Sequence, residues 1–393
     1  MSGCGLILKP TGFFVQPLRR TGPGRPKGYV DRAGSTSTVE KPYLAVAFAR
    51  RYANWRREAL SVSAKRFSVP AIRKILFGLL AIFTVAIVVS AGWLWQVAGV
   101  YGFNTVLRRG GTYWIDMKPD DERLSASMRL ALSPVIPAVL PGPLVWQEPE
   151  TGFEVAELPV LADGREVDRI FLSRIDPTRF RFVTRNAAAG DAGIDEWEKA
   201  LPNAVLIVNG SYFDKHGRPD TPFISEGIAM GPQQYDARAG AFIAGKDAAD
   251  IRDLTHQDWQ TAFAGASNAM VSYPLLIGDD GQTHVNVKSR WLANRTFVAK
   301  DDLGRVVIGT TKEAFFSLDR LAEFLKTSPL NLKVALNLDG GPVACRSVRL
   351  NGYRQKFYAR WESQADGNKV SLLRWPISEV NWAMPMVLTV ERK

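Results

Sequence analysis

Residues 75–95 read ILFGLLAIFTVAIVVSAGWLW, a run without a single charged side chain. About twenty apolar residues in a helix cross the hydrocarbon of a bilayer. The only hydroxyls in the run, Thr84 and Ser90, can be satisfied by carbonyls of their own helix. Arg73 and Lys74 flank it upstream, with Lys65 and Arg66 just before, and Trp93, Trp95 and Tyr101 stand at its downstream end. Basic residues on one side and aromatic residues on the other mark a single-pass helix with its N-terminus in the cytoplasm. A cleaved signal fits poorly, because the run is long, starts far into the chain and is followed by no small-x-small site. A buried core helix would show a polar face within six turns, and none is present. The expected arrangement is a transmembrane helix at residues 75–98 in a bacterial inner membrane, with the C-terminal domain on the periplasmic side.

Upstream lies a basic tail, residues 1–74. It holds fifteen Lys and Arg against only Asp31, Glu40 and Glu58, which accounts for the whole of the chain's net charge of +11. Its start, with TGPGRPKG and GSTST, reads as disordered, and Tyr43–Leu60 reads as a helix that either lies along an anionic inner leaflet or is simply solvated. The larger part of the chain is close to neutral. It has no field to draw it to phosphate backbones, so no nucleic-acid partner is expected. Cys4 and Cys345 fall on opposite sides of the apolar run, which excludes a disulfide between them, and a lone Cys in an exported domain reads as a small buried apolar residue.

Downstream, residues 99–144 read as a stalk or linker, with a short helix around Asp121–Leu132 and then Pro134, Pro137, Pro141 and Pro143. Strand alternation begins at Trp146. Phe153–Leu161, Val167–Ile175 and Phe180–Arg185 read as strands, Ile194–Leu201 as a helix, and Arg295–Lys300 with Arg305–Thr311 as a hairpin across DDLG. Ser317–Leu325 is amphipathic, and Val334–Leu338 is a further apolar strand. Val380–Glu391 reads as a closing strand, at an edge because Pro385 interrupts it. The fold class is therefore α+β: mixed β-sheets with few flanking helices over residues 145–393, preceded by one N-terminal transmembrane helix.

Two apolar strands run straight into polar clusters: AVLIV into Asn209-Gly210-Ser211-Tyr212-Phe213-Asp214, and VAL into Asn337-Leu338-Asp339-Gly340-Gly341. Between them stand SYPLL at Ser272–Leu276, followed by Asp279-Asp280-Gly281, and Asn294-Arg295-Thr296. Glycine beside aspartate lets a ligand approach the backbone while the carboxylate acts as acid, base or nucleophile. Arginine offers a planar fork suited to phosphate. Taken singly, each of these motifs is as readily a turn. His216 alone reads more simply as an exposed turn residue.

In this order and spacing, over roughly Trp146 to Arg392, the four motifs resemble the phosphodiester glycosidase family. The resemblance implies a mixed α+β domain, loops converging on one pocket, and hydrolysis of a sugar-1-phosphodiester between the anomeric carbon and a phosphate oxygen. On that basis Asp339 is expected to face the anomeric carbon and Arg295 to hold the phosphate. Asp214 is expected as second carboxyl and His216 as a candidate for proton transfer. Asn209, Gly210, Ser211, Tyr212, Ser272, Thr296, Asn337, Gly340 and Gly341 are expected to hold the substrate. The partners implied are a sugar-phosphate or polysaccharide of the envelope or exopolysaccharide, and the membrane. No cofactor is called for, with a divalent cation such as calcium left open at Asp214 or Asp339. One departure stands out: the family continues its last motif with a third glycine and serines, where this chain has Pro342-Val343-Ala344-Cys345. A non-catalytic saccharide-binding or assembly factor is the rival reading.

Overall fold

The computed structural model describes residues 69–109, 114–187, 192–214, 216–235, 239–373 and 382–393. Residues 1–68, with the helix expected at Tyr43–Leu60, lie outside the described residues. Helix α1 (Val69–Arg109) is longer than the expected span, and its stretch Arg73–Trp93 is long and apolar enough to cross a membrane. The described side chains of that stretch are all exposed. Thr84 Oγ1 donates to Leu80 O at 2.8 Å, so the helix does satisfy this hydroxyl internally.

The remaining elements, in chain order, begin with β1 (Trp114–Met117), α2 (Ala126–Leu132), β2 (Val139–Pro141), β3 (Gln147–Glu150), β4 (Phe153–Ala162), β5 (Arg165–Ile175) and β6 (Phe180–Asn186). Next come α3 (Ile194–Ala200), β7 (Ala204–Asn209), β8 (Phe223–Ser225), β9 (Ile228–Met230), β10 (Gly240–Ala244), β11 (Ala249–Asp253), α4 (Trp259–Phe263), β12 (Asn268–Ser272) and β13 (Leu275–Ile277). The chain continues with β14 (Trp291–Ala293), β15 (Thr296–Asp301), β16 (Val306–Thr311), α5 (Leu318–Thr327), β17 (Leu332–Asn337) and a 3-10 turn at Gly341–Val343. It closes with β18 (Arg346–Leu350), β19 (Tyr353–Phe357), β20 (Glu362–Asp366), β21 (Lys369–Leu373) and β22 (Met386–Arg392).

The fold is α+β, built on an eight-stranded sheet in the order β13-β17-β15-β16-β5-β4-β2, with β3 added beside β4. Side chains alternate across a strand, and both faces of this sheet are buried. Phe297, Ala299, Val307 and Ala335 face one core, filled by Met128 and Leu132 of α2 and Leu321, Phe324 and Leu325 of α5. Val298, Val306, Ile308, Val334 and Leu336 face a second core, filled by Leu206, Val208, Phe242, Met270 and Leu388 from two five-stranded sheets, β19-β18-β7-β22-β6 and β11-β10-β12-β8-β9. A smaller sheet, β1-β21-β20-β14, completes the set.

Three expectations need correction. The stretch read as a stalk joins the folded body: β1 pairs with β21, β2 with β4, and α2 packs into the first core. Pro134 and Pro137 follow α2, Pro141 is the last residue of β2 and Pro143 follows it, so they do not mark an extended linker. The helix there starts at Ala126, where Ser125 Oγ accepts from Met128 N at 3.1 Å, an N-cap that fixes the start. The closing strand is not an edge. It begins at Met386, after Pro385, and pairs with β7 and β6 on its two sides, so the proline never interrupts a ladder.

The main sheet is tightly packed where β15 meets β16. Phe297 lies opposite Gly309 in the register, and a β-carbon on Gly309 would fall 2.2 Å from Phe297 Cζ. Overpacking of a filled core costs ~1–3 kcal/mol. Gly309→Ala is therefore expected to destabilise the body by about that amount, read as a lower denaturation midpoint with an unchanged slope. A midpoint equal to the wild type would contradict the packing described.

Candidate active site

The four motifs sit at the ends of strands drawn from all four sheets: Asn209 ends β7, Ser272 ends β12, Asn294 and Arg295 join β14 to β15, and Asn337 ends β17. Hydrogen bonds knit them together. Asn209 Oδ1 accepts from Thr296 Oγ1 at 2.7 Å, and Asn209 Nδ2 donates to Asp339 O at 2.7 Å. The backbone adds Asp339 N to Gly210 O at 3.1 Å, Leu338 N to Thr296 O at 2.9 Å and Gly341 N to Asn294 O at 2.8 Å. Asn337 Nδ2 donates to Tyr212 Oη at 2.9 Å and to Tyr273 O at 3.1 Å, and Tyr212 Oη donates to the same carbonyl at 2.8 Å. The Tyr212 and Tyr273 rings stack 4.2 Å apart at 18°.

Asn294 holds the loop that carries Arg295. Its Nδ2 donates to Thr311 O and Lys312 O, and its Oδ1 accepts from Arg360 N and Trp361 N. One buried amide thus ties β16 to the segment that enters β20.

Arg295 is 6% exposed. It donates from one terminal nitrogen to Trp291 O at 2.8 Å, while its Nε has no partner. No carboxylate is ion-paired with it among the described residues. Burial lowers its pKa, opposed by the charges of Tyr212, Glu362 and Asp339. A terminal nitrogen comes within 3.2 Å of where a β-carbon on Gly340 would stand, so glycine there leaves the guanidinium its place. Asp339 is half-buried, and its Oδ1 accepts from Gly340 N at 2.8 Å. Its charge and, more strongly, burial raise the Tyr212 phenol well above its ordinary value; burial, Asp220 and Asp339 push Tyr273 up to about 12. Both phenols are therefore neutral donors at physiological pH. Two further buried atoms here have no partner, Ser272 Oγ and Asn337 Oδ1.

The other expected residues lie differently. Asp214 organises its own turn: Oδ1 accepts from His216 N and Arg218 N, and Oδ2 from the Arg218 guanidinium at 2.9 and 2.8 Å. Burial raises its pKa, but the Arg218 and backbone hydrogen bonds outweigh it, and the net shift is downward. The imidazole of His216 makes no hydrogen bond among the described residues, and Ser211 is buried against Thr221, 3.2 Å between hydroxyls. Asp279 and Asp280 line a separate cleft of about 240 Å³ with Asp253, His256, Gln257 and His284. None of the residues around Arg295 lines it. Among the described residues no group of three or more His, Cys, Asp or Glu is placed to hold a metal ion.

The structure adds residues that the motifs did not include. Trp291 and Glu362 enter from the small sheet, with Trp291 Nε1 donating to Glu362 Oε1 at 3.1 Å. Gly341, at φ +69°, would place a β-carbon 2.4 Å from Glu362 Oε2. The Asp339-Gly340-Gly341 turn is thus flanked by Arg295 at one glycine and Glu362 at the next.

Residues 202–371 match the family model described as phosphodiester glycosidase. The chain resembles that family. Among solved structures, it is similar to the catalytic domain of zebrafish N-acetylglucosamine-1-phosphodiester alpha-N-acetylglucosaminidase, auto-inhibited by its pro-peptide. The identity is 14%, with 72% of this chain and 89% of that chain covered at a TM-score of 0.43. A hypothetical protein from Synechocystis is similar at 14% identity, with 64% of each chain covered and a TM-score of 0.41. No curated protein matches the chain. Where the phosphodiester glycosidase pattern would continue with glycine and serines, Pro342, Val343, Ala344 and Cys345 are buried, the last three in a small core with Ile194, Trp197 and Met384.

Replacing Asn294 by Ala would strip partners from two carbonyls and two N–H groups around this loop. An unsatisfied buried group costs ~1–3 kcal/mol, so a loss of about 3 kcal/mol is expected. Chemical denaturation checks this, and a loss below about 1 kcal/mol would show that the amide is not the tie described.

Proposed function

We propose that this protein is a hydrolase that cleaves a sugar-1-phosphodiester at the bond between the anomeric carbon and a phosphate oxygen. The observation that carries the reading is Arg295: a buried guanidinium, with an unpartnered Nε and no ion-paired carboxylate among the described residues, beside the glycines of the last motif. Burying an uncompensated charge is expensive. An oxyanion that bonds the guanidinium's free edge offsets that cost, and phosphate is the anion whose geometry suits the planar fork.

The reaction needs little more than charge placement. As the anomeric C–O bond breaks, its electron pair leaves on the phosphate oxygen, where Arg295 stabilises it. Asp339 supplies negative charge to the developing oxocarbenium centre. Ser272 Oγ and Asn337 Oδ1, buried without partners, suit sugar hydroxyls, and the exposed Tyr273 offers an apolar wall. The apolar 342–345 segment packs into a core, so the role of the absent serines is not taken over there.

The body is held at a bacterial inner membrane by α1, with the basic tail in the cytoplasm and the domain outside it, where envelope or exopolysaccharide phosphodiesters are the substrates. The charge asymmetry about the apolar span supports this orientation.

The test is release of free sugar and phosphomonoester from a panel of sugar-1-phosphodiesters by the full-length chain. Arg295→Ala is expected to lower kcat/KM by about 10²–10³-fold, as for loss of a preorganised donor. Asp339→Asn is expected to cost at least about 10²-fold in kcat. Full activity in Asp339→Asn would contradict its role. No turnover across the panel, with phosphodiesters still raising the melting temperature through Arg295, would favour the binding-factor reading.

A further inference from the structure

Hydrolysis needs a group to take a proton from water, and this inference rests on the hydrolase reading above. Asp214, expected as that second carboxyl, has both oxygens bonded within its own turn. We propose that Glu362 is the second carboxylate of the site, the base that activates the attacking water.

Three observations place it. Glu362 Oε2 lies where a β-carbon on Gly341 would come within 2.4 Å, so the carboxylate packs directly over the backbone of the Asp339-Gly340-Gly341 turn. Only glycine allows this twice over: the space is filled, and φ is +69°, a region other side chains rarely adopt. Second, a terminal nitrogen of Arg295 lies 3.2 Å from where a β-carbon on Gly340 would stand, and Asp339 opens the same turn, so all three charges stand around it. Third, Trp291 Nε1 holds Glu362 Oε1 at 3.1 Å and fixes the side chain's direction. Strand pairing does not require that bond, because Trp291 stands opposite Gln364 in the ladder.

In the step, a water gives one proton to Glu362 as its oxygen bonds to the anomeric carbon. The C–O bond to phosphate breaks, its electron pair leaving on the phosphate oxygen beside Arg295. Free sugar and phosphomonoester depart, and Glu362 returns its proton to solvent. A phosphate leaving group needs no protonation, which is why one base and one stabilising carboxylate suffice.

The test compares the full-length wild type with Glu362→Gln and Trp291→Phe across pH. Loss of a general base costs about 10²–10⁴-fold. Glu362→Gln is expected to lose kcat by that factor, to lose the acidic limb of the pH profile, and to keep the rise in melting temperature that inorganic phosphate gives the wild type. Trp291→Phe removes a hydrogen bond that favours the charged carboxylate. Its acidic limb is expected to move to higher pH. An active wild type whose Glu362→Gln variant keeps kcat and the acidic limb would overturn the assignment alone. So would a Glu362→Gln variant that loses phosphate stabilisation, since that would make the residue structural. A wild type inactive on every phosphodiester would overturn the hydrolase reading and this proposal with it.

Discussion

Strands buried on both faces, as β15, β16 and β17 are, keep charged side chains at or next to their ends. The eight-stranded sheet meets helices on one face and two further sheets on the other, and the interior of β16 is apolar or hydroxyl-bearing throughout. The charged and amide side chains of these strands therefore collect where the strands stop, and there most find a partner. Asn209, Asn294 and Asn337 meet that demand with their amides, which bond backbone groups of neighbouring loops. The same bonds that satisfy the loops also fix the candidate site, so its geometry is a by-product of closing the core.

Within that frame Arg295 is a buried charge with no ion-paired carboxylate among the described residues and an Nε without a partner. The chain has another buried arginine, Arg346, which makes a useful contrast. Arg346 is fully enclosed, donates to Phe171 O and Ser173 Oγ, and binds β18 to β5 across the interior, although its Nε, like that of Arg295, has no partner. Its surroundings are closed on every side, so it serves packing. Arg295 instead stands beside Gly340 and Gly341, with Asp339 and Glu362 half-buried next to it. Absence of a β-carbon at Gly340 and Gly341 is what lets a cation and a carboxylate approach one turn from two directions.

Much of this was legible in the sequence. The apolar run, the alternation at 153–185, the hairpin at 295–311 and the amphipathic helix at 318–327 follow from patterns of period two and 3.6. The motifs Asn209-Gly210, Asn294-Arg295-Thr296 and Asp339-Gly340-Gly341 were visible as polar ends of apolar strands. What the sequence hid was long-range pairing. Nothing in Trp114–Met117 shows that it will join β21, and Pro385 weighed against a central strand because a pattern does not say on which side of a proline pairing begins. Glu362 was hidden for the same reason: it sits in an unremarkable Trp-Glu-Ser, and only the register of β14 with β20 brings it to the glycine turn. Asp214 stands near glycine in the sequence as Asp339 does, and only the structure shows its oxygens bonded within its own turn.

The most direct measurement is the ¹⁵N NMR signal of the arginine Nε–H groups in the full-length chain, titrated with a non-hydrolysable dialkyl phosphate. The account predicts that one Nε–H resonance, missing from Arg295→Lys, shifts as the orphaned donor of Arg295 gains its acceptor. A titration that leaves that resonance in place at saturating phosphate diester would contradict the claim that this buried charge is kept for a phosphate.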